Sequence, residues 1–177
     1  MPALRNPRPR TVSKSFRIDE AASDALEKEA TTLNVSTNTL VNQILKQFAD
    51  FDRFARRMNT VKVSGSLFRS LLEQIEPDNI IDVANAAGSS IPQVFAVSKS
   101  GKVGADSLLD YVRSSASYAH LFEFSETDDG QKRLITLVHD FGLNWSIFLV
   151  HYVTAMFQQI GLSPKVEMSD RSVTFTL

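Results

Sequence analysis

Over residues 11–60 the apolar positions repeat first every two residues and then at helical spacing. Thr11-Val12-Ser13-Lys14-Ser15-Phe16-Arg17-Ile18 is small, β-branched and alternating, which predicts a short strand. Phe16 and Ile18 fall on one face of it; Ser13, Ser15 and Arg17 fall on the other. Asp19 is a good helix N-cap, with Glu20 in the first turn. A first helix then runs to about Leu33 on an apolar stripe of Ala22, Leu26, Ala30 and Leu33, and Asn34 ends it in a left-handed conformation. Ser36 caps a second helix that begins Thr37-Asn38-Thr39. Its apolar face is wide: Leu40, Val41, Ile44, Leu45 and Phe48, prolonged by Phe51, Phe54, Ala55 and Met58 to about Met58.

Asn59-Thr60 is the expected boundary, followed by a short extended piece, Val61–Ser64. Ser66 is expected to cap a helix over Leu67–Ile75, which Pro77 ends. Asp78–Ala87 reads as a helix stopped by Gly88, and Ser90 and Pro92 open a third. Gly101 and Gly104 bracket a turn before a fourth, Ala105–Ser115. The period then drops to two: Tyr118, His120, Phe122 and Phe124 in one strand, Leu134 to His139 in the next, with Asp129-Gly130 as the hairpin turn. A helix over about Asn144–Ile160 and a second hairpin, Lys165–Met168 and Ser172–Leu177, complete the chain. The predicted class is α+β, with a rear domain of several helices and a ββαββ antiparallel sheet covered by helices on one face. The domains expected are an unfolded arm over 1–10, a first folded module over 11–59, and a C-terminal module over 60–177.

Charge sharpens this division. The chain as a whole carries a net charge of −1. Residues 1–62 hold 11 Lys/Arg against 7 Asp/Glu, a net +4, whereas residues 63–177 hold 8 against 13, a net −5. Only the front is drawn to a polyanion. Its arm alternates three early prolines with Arg5, Arg8 and Arg10. The chain has no Cys, which excludes a disulfide scaffold, a zinc ribbon and a thiol nucleophile. The opening residues have no apolar core and do not read as a signal peptide, so the expected location is the cytoplasm, on the nucleoid. The stretch Phe141–Pro164 lacks Asp, Glu, Lys and Arg, but it contains Asn144, Ser146, His151, Tyr152, Thr154, Gln158 and Gln159. A helix buried on several faces of a protein fits that composition better than a membrane span.

Strand, helix, short turn and capped helix within about 45 residues resemble the ribbon-helix-helix family of DNA-binding proteins. The elements that carry the resemblance are Ser13–Asp19, the helix through Leu33, Asn34–Thr39 and Leu40–Leu45. One strand cannot satisfy its own ladder, and two helices of this size bury too little to fold alone. A second copy solves both problems, so the expected folding unit is an intertwined homodimer closed over Phe16, Ile18, Leu26, Leu40, Ile44 and Phe48. The resemblance implies a two-stranded ribbon in the major groove of double-stranded DNA, with Ser13, Ser15 and Arg17 facing the bases. Arg17 is the strong reader, able to fork onto guanine O6 and N7; the serines are weak ones. The resemblance also implies a phosphate clamp at the start of the second helix, Ser36, Thr37 and Asn38. Lys14 stands where the family usually has an inward apolar residue: its stem reaches out to a phosphate, or the strand begins one residue later. The arm with Arg5, Arg8 and Arg10 is a further candidate contact, along phosphates or a minor groove.

The rear module is similar to an uncharacterised C-terminal domain that accompanies such segments in archaeal proteins, through Leu134–Gly142 and Trp145–Leu149. His120, His139 and His151 are not at metal-binding spacing, so no metal site and no cofactor are expected. His139-Asp140 lacks an evident nucleophile, so no catalytic residue and no enzymatic activity are expected. Trp145, Phe148 and Tyr152 recur at helical spacing, either as a core stripe or as the lining of a pocket for an apolar ligand. The leading expectation is therefore a homodimeric transcriptional regulator whose rear domain adds oligomerisation or effector sensing. The alternative is a weakly specific nucleoid or architectural protein. An antitoxin is disfavoured because about 115 folded residues follow the first module, in place of a short disordered tail.

Overall fold

The computed structural model describes residues 11–177, so the arm with Arg5, Arg8 and Arg10 lies outside the described residues. By compactness the chain forms two units, Met1–Leu45 and Lys46–Leu177.

In the first unit, helix α1 spans Glu20–Thr32 and helix α2 begins at Thr37, ending at Gln47 just past the division. Asp19 takes the extended N-cap conformation of α1, although its carboxylate makes no capping bond. Asn34 reverses the chain with φ 53°, a left-handed conformation that asparagine tolerates. Ser36 then caps α2: its Oγ accepts the Thr39 N–H at 3.1 Å. The strand expected over Thr11–Ile18 is not formed; residues 11–19 carry neither strand nor helix. A β-ladder needs a second segment alongside, and a single copy of this segment has none.

In the second unit the helical run of α2 continues irregularly. A π-turn covers Phe48–Asp52, α3 covers Arg53–Ala55, and a 3-10 turn covers Arg56–Met58. Asn59, again left-handed at φ 53°, ends it. The helical run reaches Met58 as the spacing predicts, but Phe51 and Phe54 pack within the second unit. Both rings pack on Phe95, with centroids 5.9 and 5.4 Å away, and Phe54 is buried. These residues belong to the rear core.

Four helices follow: α4 Gly65–Glu73, α5 Pro77–Gly88, α6 Ile91–Ser100 and α7 Ala105–Ser114. Ser64, rather than Ser66, caps α4, its Oγ accepting the Leu67 N–H at 3.3 Å. Pro77 occupies the first turn of α5, where no N–H is needed. Gly88 is the last residue of α5, where the sequence places the stop, and its role there is spacing. A Cβ there would lie 2.4 Å from the Tyr152 carbonyl oxygen. Only glycine lets the two backbones approach so closely.

The sheet comprises β1 Glu123–Asp128, β2 Arg133–Val138, β3 Lys165–Met168 and β4 Ser172–Thr176, with helix α8, Leu143–Gln158, between the hairpins. Its order is β1-β2-β4-β3, and every pairing is antiparallel. This is the expected ββαββ arrangement, with one difference. Tyr118 and His120 are not in the first strand: a π-turn covers Ser115–Ala119 and His120 is left-handed at φ 55°. The Tyr118 ring lies tilted against Phe51, with centroids 5.8 Å apart, and its hydroxyl donates to Asp50. The register Ile135↔Phe175 and Leu137↔Val173 places four buried side chains on one face. Phe157 of α8 packs there, 5.9 Å from Phe175.

Four polar side chains of the uncharged stretch, Asn144, Ser146, Tyr152 and Thr154, have protein partners. Asn144 donates its amide to the carbonyls of Leu72 and Ile75 at the end of α4, 2.8 and 3.0 Å away. Thr154 donates to the Val150 carbonyl. Eight of the 16 residues of α8 are buried. The run Pro77–Ser100 reaches the length and apolarity of a spanning helix, but Ser89-Ser90 divides it into α5 and α6.

Candidate nucleic-acid interface

Ser13, Lys14, Ser15 and Arg17 lie on the exposed segment before α1, and so do their apolar neighbours. Phe16 is 70% exposed and Ile18 58%. Leu33, Ile44 and Leu45 are also largely exposed, whereas Ala30 and Leu40 are buried. A unit of this length with so few buried side chains lacks a core of its own. Of the residues expected to close a dimer core, Leu40 is buried, Leu26 half-buried, and Phe16, Ile18, Ile44 and Phe48 are exposed.

Ser36, Thr37 and Asn38 come together at the start of α2 because the left-handed Asn34 turns the chain there and the Ser36 hydroxyl holds the first turn. The Ser36 Oγ is spent on the Thr39 N–H and lies 2.8 Å from the Thr39 hydroxyl. Among the described residues, the backbone N–H groups of Ser36, Thr37 and Asn38 have no partner. Such groups at a helix start attract anions, aided by the helix dipole.

In the rear unit, Trp145, Phe148 and Tyr152 form a ladder along α8. The Trp145 and Phe148 rings stack with centroids 4.7 Å apart, and the Phe148 and Tyr152 rings with centroids 5.2 Å apart. All three line a cavity of about 150 Å³, together with Tyr111, Leu149, Ala87 and others. The Tyr111 and Tyr152 hydroxyls bond each other at 2.7 Å. Burial, more than that bond, raises the pKa of Tyr152 well above its ordinary value.

A second concavity, about 670 Å³ and open, runs past Arg113, His120, Glu123, Asp140 and Arg171. Its arginines are already paired, Arg113 with Glu126 at 2.5 Å and Arg171 with Asp140, so they do not define an anion site. Among the described residues no group of His, Asp and Glu is placed to hold a metal.

His139 is a core residue whose partners the sequence did not disclose. Its Nδ1 accepts the Phe141 N–H at 3.3 Å, so the proton sits on Nε2 and is donated to the Ser146 Oγ, 2.9 Å away. That tautomer cannot take the serine proton, and Ser146 is fully buried. The pair therefore ties the end of β2 to the first turn of α8 and does not supply a nucleophile. The signal available beforehand was the His139…Ser146 spacing across a Gly142 turn. Gly142 holds φ 83°, ψ −179°, a conformation essentially reserved for glycine.

Desolvation lowers the pKa of His139 below its ordinary 6.5, against a smaller opposing pull from Asp140. The unfolded chain thus binds this proton more readily than the folded one. Stability is complete above about pH 6.5 and is lost as pH falls toward the folded pKa. In thermal melts at descending pH, His139→Asn should remove part of this decline. An identical pH slope in wild type and variant would show that His139 is not its source.

The described chain is thus an α+β protein, pairing an exposed, partly apolar N-terminal unit with a helix-and-sheet rear unit. No family model matches it, and no curated protein matches it.

Proposed function

We propose that the chain is a homodimeric DNA-binding transcriptional regulator of the ribbon-helix-helix type. The observation that carries this reading is the apolar set left uncovered on residues 11–45: Phe16, Ile18, Leu33, Ile44 and Leu45. A twofold partner covers it. Two Thr11–Ile18 segments pair antiparallel and close each other's ladder, and the four helices enclose Phe16 and Ile18. Ser13, Ser15 and Arg17 of both copies then face outward on a ribbon whose width fits the major groove. The free N–H groups at Ser36, Thr37 and Asn38 hold a phosphate on each side, and Lys14 and the arm arginines Arg5, Arg8 and Arg10 add backbone contacts.

Arg17→Ala tests the reading. The expected loss is about 1–3 kcal/mol on the preferred duplex, with little change on random duplex. Removing the arm charges should instead weaken both duplexes and flatten the dependence on salt. Equal discrimination by Arg17→Ala and wild type in a mobility-shift titration would remove Arg17 as the reader.

The second reading, an architectural nucleoid protein, is favoured by one feature: two of the three outward positions are serines, which discriminate bases poorly. Selection from random DNA separates the two. A sharp motif supports the regulator, and the absence of enrichment supports the architectural protein.

A further inference from the structure

The cavity beneath the aromatic ladder is lined almost entirely by carbon. Its lining comes from five places in the rear unit: Ala87 and Ile91 at the α5–α6 junction, Val112 on α7, Leu121 in the segment before β1, Leu137 on β2, and Trp145 and Leu149 on α8. Each polar end among its aromatic walls is already used. The Tyr111 and Tyr152 hydroxyls bond each other, and the Trp145 Nε1–H donates to the Leu121 carbonyl at 3.2 Å. Apart from the Ser115 hydroxyl, which lies beside the Tyr111 hydroxyl, what faces the space is ring surface and aliphatic side chain. A site of that kind holds neither water, which needs two or more polar partners, nor a charged ligand, which would lose its hydration without compensation. Its volume, about 150 Å³, matches a single six-membered aromatic ring. Ile91 is 41% exposed and Phe148 and Phe122 are half-buried, so the enclosure has a mouth bounded by movable side chains rather than a sealed wall.

We infer that this cavity is a binding site for a small, uncharged aromatic molecule or aromatic group without hydrogen-bonding substituents in contact with the walls. The ring lies against the Trp145–Phe148–Tyr152 ladder and is enclosed by Val112, Leu149 and Val153. This goes beyond DNA binding and does not depend on it, because every residue of the site lies in Lys46–Leu177.

The chain's single tryptophan, Trp145, lines the site, so it reports occupancy directly. The experiment is a titration of the full chain with toluene, following Trp145 emission and the melting temperature, with benzoate as a comparison of similar shape but opposite polarity. Toluene is expected to give a saturable change in emission and to raise the melting temperature; benzoate is expected to give neither. Ala87→Leu places a larger aliphatic side chain in the cavity and should abolish the toluene response while keeping the circular dichroism of the fold. Should Ala87→Leu fail to fold, methyl NMR of the wild type decides: toluene should shift Val112, Leu137, Leu149 and Val153 and leave methyl groups outside the cavity unchanged. Absence of a saturable response, an equal response to benzoate, a full response in folded Ala87→Leu, or scattered methyl shifts would each overturn the site. None of these outcomes bears on whether the N-terminal unit binds DNA.

Discussion

Phe16→Ala is expected to take the dimer apart. In a single chain the Phe16 ring is largely in water, so its removal costs the isolated protomer little. In the proposed dimer the ring is enclosed by both copies. Burying a phenylalanine contributes about 1.5–3 kcal/mol, and the symmetry counts it twice, so about 3–6 kcal/mol of association energy is lost. That corresponds to a dissociation constant raised by about two to four powers of ten. Sedimentation equilibrium at micromolar concentration should show a shift from dimer to protomer, and duplex binding should fall with it, because one protomer presents half a ribbon. The rear unit supplies an internal control: its melting transition should be preserved. A variant that sediments as a dimer with unchanged affinity would place Phe16 outside the seam and end the ribbon reading.

Gly88→Ala carries the second large effect, on the rear unit. The added methyl would lie 2.4 Å from the Tyr152 carbonyl oxygen and 3.0 Å from the Cα of the same residue. These are backbone atoms of α8, which cannot rotate away as a side-chain tip would. Either α5 and α8 separate or one of them bends, and both responses loosen the packing around Ile80, Ala84 and Val153. Overpacking typically costs 1–3 kcal/mol, and a backbone obstacle belongs at the upper end, about 3 kcal/mol. For a unit of this size the melting temperature should fall by about 10 °C. Calorimetry measures it directly. A fall of less than about 2 °C would show that the close approach is not maintained in solution.

Local chemistry made much of the architecture legible. Asn34 and Ser36 marked the turn between α1 and α2 because each acts on its own neighbours: one adopts φ 53°, the other caps an N–H three residues on. The two hairpins followed from a period of two and from the Asp129-Gly130 turn, where Gly130 holds φ 85°, whereas the pairing of β2 with β4 was not legible. Where the reading departed from the structure, tertiary contacts decided. Phe51 and Phe54 continue the apolar spacing of α2, but their rings are claimed by Phe95 of a helix some forty residues away, a pairing no local pattern encodes. Tyr118 and His120 fit an alternation of aromatics, yet the neighbouring Ala116 and Ala119 have little strand preference, and Ser115–Ala119 stays helical. Gly88 showed only that a glycine stood near a helix end; that α8 passes against it appears only in three dimensions. The Trp145–Phe148–Tyr152 ladder was visible as a stripe. The cavity beside it needed Tyr111, Val112 and Ala87, which come from two other helices.

The order of the sheet has a consequence for how the protein behaves at high concentration. Its two outermost strands are β1, which carries Glu123, Glu126 and Asp128, and β3, which is four residues long and carries Lys165 and Glu167. Short, charged borders discourage the strand-by-strand growth that leads to fibrils. The greasier strands, β2 and β4, are enclosed between them, so crowding in solution finds no sticky margin on this sheet.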